Sequence, residues 1–174
     1  LYILARFHKW QYSLAAAIST THDALVILVL FSLLDGIVPF SLDIDQHFVA
    51  AILTVIAYSI NDTVVVFDRL REYLGMSKYR NEPISNTINL AINRTLSRTI
   101  VTSLTVIFVM AVLFIFGGEV IRGFSFAILV GIIVATYSSI VIAAPLVVDL
   151  KGKEVDKLPA EAQTGKTSLK TAKV

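Results

Sequence analysis

The chain is 174 residues long, an ordinary length for one domain, yet 56% of it is hydrophobic and only 16% charged, with mean hydropathy +0.76; soluble domains carry about 25% charged residues. Its charges are segregated between apolar stretches, which excludes a soluble enzyme domain, a disordered tail and a nucleic-acid module. It has no cysteine, and so no disulfide framework, thiolate zinc site or redox dithiol.

The first residues, Leu1 to Ala5, are already apolar, so the chain reads as part of a longer protein that opens at the end of an earlier span. Four further segments, about Ser13–Leu34, Phe48–Phe67, Thr99–Phe116 and Phe124–Leu150, are long enough to cross a bilayer core of about 30 Å, which takes roughly 20 helical residues. Helices are expected, because lone strands leave backbone groups unpaired in lipid and the alternation of a membrane barrel is absent. The expected fold is therefore all-α: a polytopic helical membrane bundle over 1–150, with four full transmembrane helices plus the end of a fifth.

Between the second and third spans, residues 73–95 form an expected cytoplasmic amphipathic loop. Gly75 and Pro83 punctuate it, and Pro83 suits a first helical turn. Ile84, Ile88, Ala91 and Thr95 then recur at helical spacing, with Asn86, Asn89 and Asn93 elsewhere. The pattern fits either a short helix lying on the membrane surface or an elbow packed beneath the bundle. The tail, 151–174, is rich in lysine and threonine without an apolar period, and is expected to be disordered.

The basic residues set an orientation. Arg6 and Lys9 precede the first full span, Arg69 to Arg98 lie between the second and third, and the tail lysines follow the fourth; Arg122 stands apart, on the side of Asp35, Asp43, Asp45 and Glu119. Positive loops stay in the cytoplasm, which places both ends of the chain and the long loop there.

A charge at the membrane centre costs about 2.5–3.5 kcal/mol on insertion scales, so ionisable residues inside spans mark candidate sites. Asp62 sits about 7 Å to the cytoplasmic side of the midplane, at 1.5 Å per residue. Tyr58, Ser59 and Asp62 share one helical stripe, which offers hydroxyls on the preceding turn for a proton path. Arg98, at the entry of the antiparallel third span, is the natural partner of Asp62; it is otherwise a positive-inside anchor. His22 and Asp23 lie mid-span and point about 100° apart, so they serve either as relay groups or as hydrogen-bonding glue. Thr99, Thr102 and Ser103 line one side of the third span, although such hydroxyls often bond their own helix.

In the fourth span Gly123, Ala127, Gly131, Ala135, Ser139 and Ala143 recur every fourth residue, a ladder that admits close helix packing. Tyr137 and Ser138 lie off that ridge and are expected to face the polar interior. Three scattered histidines assemble no Ser/His/Asp geometry, no glycine-rich phosphate loop is present, and no spacing suits zinc. Neither an enzyme nor a cofactor is expected.

The segment Ala57 to Arg69, AYSINDTVVVFDR, followed by Arg71-Glu72, resembles the SecF protein-export family, or the SecF half of a fused SecDF, within the resistance-nodulation-division superfamily. Arg6-Phe7, His22-Asp23, Asn93 to Thr99 (NRTLSRT), Thr102-Ser103, Phe116-Gly117-Gly118 and Thr136 to Ser139 (TYSS) agree in order and spacing. The resemblance implies a six-helix bundle mated to a pseudo-symmetric SecD bundle, with periplasmic domains and the first helix lying outside this chain. It further implies an accessory role in the Sec translocase of the bacterial inner membrane, using the proton-motive force to assist protein export. SecD, SecYEG and SecA are the implied partners, with YajC and YidC as further candidates, and the coupling ion is H⁺ or Na⁺. The family's proton-passage aspartate and arginine fall on Asp62, in the Asn-Asp-Thr context, and on Arg98, in the Arg-Thr context. Tyr58, Ser59, Thr102 and Ser103 are candidates for supporting roles. Two alternatives stand beside this reading: an exporter of small molecules or lipids, and a passive translocon scaffold.

Overall fold

Long apolar runs become long helices. In the computed structural model, which describes residues 2–7, 9–76 and 84–156, a short helix α1 (Tyr2–Phe7) leads into α2 (Trp10–Leu34), α3 (Gln46–Gly75), α4 (Ile84–Phe116) and α5 (Glu119–Ser138). A π-helical turn (Ser139–Ala143) joins α5 to α6 (Ala144–Asp156), so that the fourth span is one helix with a widened turn inside it. Among the described residues four helices are long and apolar enough to cross a membrane. The α2–α3 connection turns at Gly36, whose φ of +74° lies in the left-handed region that glycine enters without steric cost. Asp45 then caps α3, its carboxylate accepting the Phe48 backbone N–H at 2.9 Å. Asp45→Ala should lower the thermal stability of the detergent-solubilised protein by about 1 kcal/mol, the usual worth of such a cap.

The buried side chains repeat one pattern along every span: apolar, then polar, then apolar. Around α1 and the inner ends of the helices, Phe7, Tyr12, Ala16, Phe67, Leu70, Ala91 and Val147 form one apolar cluster. Toward the α2–α3 loop, Ile27, Phe31, Phe48, Val55, Ile128 and Ile132 form a second. Between them lie buried Ser19 and Asp23 on α2, Ser59, Asp62 and Thr63 on α3, Thr95, Thr99 and Ser103 on α4, and Ser138 and Ser139 at the π turn. A polar layer thus crosses the bundle between two apolar clusters.

The α5 helix holds the centre, touching α2, α3 and α4, whereas α4 is the most exposed span. The small-residue ladder explains the placement. A Cβ on Gly131 would lie 2.9 Å from Ile27 Cδ1 and closer still to Val55, so α2 and α3 approach the α5 backbone itself. Gly123 plays the same part against the Ser41 carbonyl, where an added Cβ would stand at 2.9 Å. Ala127, Ala135, Ser139 and Ala143 are buried as well. Fourth-residue spacing drifts about 40° per step, so successive rungs meet different neighbours rather than a single groove.

Several boundaries differ from the sequence expectation. The second span continues to Gly75, the third starts at Ile84 and the fourth at Glu119, because hydropathy marks where a helix meets lipid and not where it ends. Among the described residues no separate surface helix precedes the third span. From Ile84 the chain is one 33-residue helix without proline or glycine, and Thr87, Ile88, Ala91 and Thr95 bury one face of its first turns. Helix continues past 151, where the tail was expected to start, since α6 runs to Asp156. Residues 77–83 of the loop and 157–174 of the tail lie outside the described residues.

At its inner end α1 is tied to α3. Arg6 pairs with Asp68 at 3.2 Å, Arg71 donates to the Arg6 carbonyl at 3.2 Å and so caps the last turn of α1, and Phe7, Tyr12 and Phe67 pack ring against ring. The ion pair is about half exposed and contributes at most about 1 kcal/mol. The buried rings make the join, at about 0.5–1.5 kcal/mol per pair beyond their area.

Candidate functional site

Two carboxylates lie in the polar layer, and their surroundings differ. Asp23, on α2, is fully buried. The Ser59 hydroxyl on α3 donates to its Oδ2 at 2.6 Å, and His22 Nδ1 stands 3.3 Å from its Oδ1. Both oxygens are engaged. Asp62, one turn beyond Ser59 on α3, is 4% exposed, and its Oδ2 is buried without any hydrogen-bond partner. Most buried polar groups are satisfied, so an orphaned carboxylate oxygen inside a membrane bundle asks for a reason.

Short hydroxyl links surround the two acids. Thr63 meets Ser139 at 3.0 Å and Ser19 meets Ser138 at 2.5 Å, so the start of the π turn is pinned to α3 and α2 by adjacent serines. π turns are rare and often sit at functional sites. Farther along, Ser103 on α4 shares a hydrogen bond with Thr136 on α5 at 2.7 Å, and the Tyr58 hydroxyl reaches Ser103 at a long 3.4 Å. Arg98 is exposed on α4.

Asp62 is thus a buried acid with an oxygen that has no hydrogen-bond partner, in a bundle whose helices are joined by hydroxyl pairs. Comparison with known proteins puts this chain in context. The family model described as protein export membrane protein SecD/SecF, C-terminal, matches residues 1–153. The chain belongs to the SecD/SecF protein-export family. It is 56% identical over 153 residues to the protein translocase subunit SecF of Rhodothermus marinus, which covers 88% of this chain and 49% of that protein. It is 46% identical over 158 residues to the protein translocase subunit SecDF of Brucella abortus, covering 90% of this chain and 20% of that one. Among solved structures it is similar to SecDF, a translocon-associated membrane protein from Thermus, with a TM-score of 0.75 and 42% identity over 87% of this chain and 20% of that one. The chain therefore spans about half the length of the SecF relative and a fifth of the fused SecDF proteins.

For this SecD/SecF chain, the structure sorts the residues singled out from sequence. Asp62 and Arg98 are not joined by an ion pair among the described residues: the carboxylate points into the bundle while the guanidinium stays at the α4 surface. Among the described residues no hydrogen bond links Asp62 to Tyr58 or Ser59. Ser59 is committed to Asp23 and Tyr58 to Ser103, because neighbouring helices offer better acceptors than a side chain on the next turn. Thr102 is exposed and turns back onto the Arg98 and Thr99 carbonyls of its own helix. His22 and Asp23 diverge as adjacent residues must, Asp23 inward and His22 toward a half-exposed face, though the imidazole still meets the carboxylate. Tyr137, expected inward, is 58% exposed, while Ser138 beside it is buried. Sequence reasoning overlooked Ser19 and Thr63. Thr63 carries a signal, since it stands beside Asp62 at the end of the polar stretch Ser59 to Thr63; Ser19 carries none beyond opening the hydroxyl run Ser19-Thr20-Thr21.

Proposed function

We propose that the chain forms the membrane-embedded proton-handling part of a Sec translocase subunit, which uses the proton-motive force to assist protein export across the bacterial inner membrane. One observation carries the reading: Asp62, buried in a bundle of membrane-spanning helices, keeps a carboxylate oxygen without a partner. A carboxylate retained to brace helices would be hydrogen-bonded, as Asp23 is; a carboxylate that loads and unloads a proton needs a free oxygen in at least one state. Arg98 favours the ionised form when it swings close and the neutral form when it withdraws, so its distance from Asp62 links charge to conformation. The other half of the bundle would come from SecD or a fused SecD half, with SecYEG and SecA as the machinery served. Export-competent inverted vesicles containing the whole protein test this: a protonophore should remove its stimulation of export, and loss of stimulation only on Na⁺ removal would assign Na⁺ as the coupling ion.

The basic loops support cytoplasmic placement of the α1 end, the α3–α4 loop and the end of α6. The lack of cysteine makes the orientation directly measurable. A single cysteine at Ser41 should react with an impermeant maleimide added outside intact cells, and one at Gly75 should react only after lysis. The reverse pattern would invert the assignment.

A further inference from the structure

Resting on that reading of Asp62, we propose that Asp23 is a second proton-holding group, joined to Asp62 through the Ser59 hydroxyl and backed by His22. The layer contains a second acid that the proton-carrier account does not use. Asp23 is fully buried and lies on a different helix from Asp62, yet one residue, Ser59, stands next to both. It donates to Asp23 at 2.6 Å and precedes Asp62 by three positions on α3, where side chains are neighbours about 5–6 Å apart at Cβ. A serine hydroxyl has one hydrogen to give and lone pairs to accept another. Ser59 has given its hydrogen to Asp23, and its remaining lone pair is what a protonated Asp62 would seek for the oxygen that now has no partner.

The transfer balances. The proton on Asp62 passes to Ser59 Oγ as the hydrogen already on Ser59 passes to Asp23 Oδ2. The O–H bond of Asp62 breaks, one O–H bond forms on Asp23, and Ser59 ends as a hydroxyl. Asp62 is left ionised and Asp23 neutral, and rotation of the serine hydroxyl resets the link. The titratable groups facing Asp23 among the described residues are few: His22 from its own helix, at 3.3 Å from the oxygen that Ser59 does not use, and Asp62 beyond Ser59. His22 is 40% exposed, on the side of α2 that carries Ile18, Thr21, Leu25 and Val26, away from the polar layer. The row Asp62, Ser59, Asp23, His22 thus runs from the middle of the bundle to the outer face of α2. Apolar clusters lie on both sides of it.

The test uses the whole protein in native membrane vesicles, with proton uptake followed by an internal pH dye and carboxyl protonation by infrared difference spectroscopy. Wild type should show two protonation-sensitive carboxyl bands, one lost in Asp62→Asn and the other in Asp23→Asn. Ser59→Ala should slow proton uptake by about 10²-fold, the lower end of what a positioned proton-transfer group supplies, and Ser59→Thr, which restores the hydroxyl, should recover it. Normal uptake in Ser59→Ala, or a single band removed by Asp62→Asn alone, would overturn the role of Asp23 while leaving Asp62 as carrier. Normal uptake in Asp62→Asn would overturn the underlying reading instead. Because the serine variants differ by a hydroxyl and a methyl, the comparison stands even where Asp23→Asn fails to accumulate.

Discussion

Asp62→Asn is expected to abolish proton-driven stimulation of export and to leave the bundle folded. Asparagine matches aspartate in shape and removes a charge that costs about 2.5–3.5 kcal/mol to hold near the membrane centre. The oxygen it replaces makes no hydrogen bond, so no native contact is lost. Abundance and melting temperature in detergent should therefore equal or exceed wild type, while export in energised vesicles falls to the level seen with a protonophore. That combination is diagnostic, since a residue kept for stability shows the opposite signs. Unchanged export would remove the proton-carrier role and favour a passive scaffold.

Gly131→Leu is expected to fail in the other way. The β-carbon alone would lie 2.9 Å from Ile27 Cδ1 and from one Val55 methyl, and nearer to the other. A leucine adds three more carbons to a seam already closed between α2, α3 and α5. Overpacking of this kind costs about 3 kcal/mol or more, seen as a lower melting temperature and reduced accumulation, with Gly131→Ala intermediate. A Gly131→Leu protein that melts like wild type would contradict the close approach of the three helices. Together the two substitutions separate function from architecture: the carrier reading makes Asp62→Asn inactive but stable, whereas a scaffold makes only Gly131→Leu consequential.

Much of the bundle was legible because membrane crossing depends on composition summed over about twenty residues, which needs no knowledge of neighbours. The four spans and the close-packed ladder around Gly131 follow from such local sums and spacings. The inner ends were misplaced, since α3, α4 and α6 continue as helices after their hydropathy fades. The π turn at Ser139 left no trace in the pattern. Its widened geometry depends on what α2 and α3 offer to Ser138 and Ser139.

The site divides along the same line. That Asp62 and Asp23 are costly where they sit could be read from chain position alone, because burial in hydrocarbon penalises a charge whatever lies beside it. Which of them is satisfied could not. The Ser59 hydroxyl chooses Asp23 on α2 over Asp62 on its own helix, and Arg98 stays at the surface of α4 instead of closing on the carboxylate. Hydrophobicity is carried by each residue, so sequence by itself determined how many times the chain crosses and where the expensive groups fall. A hydrogen bond belongs to two residues on facing helices, so only the packed bundle decided which acid was tied and which was left free.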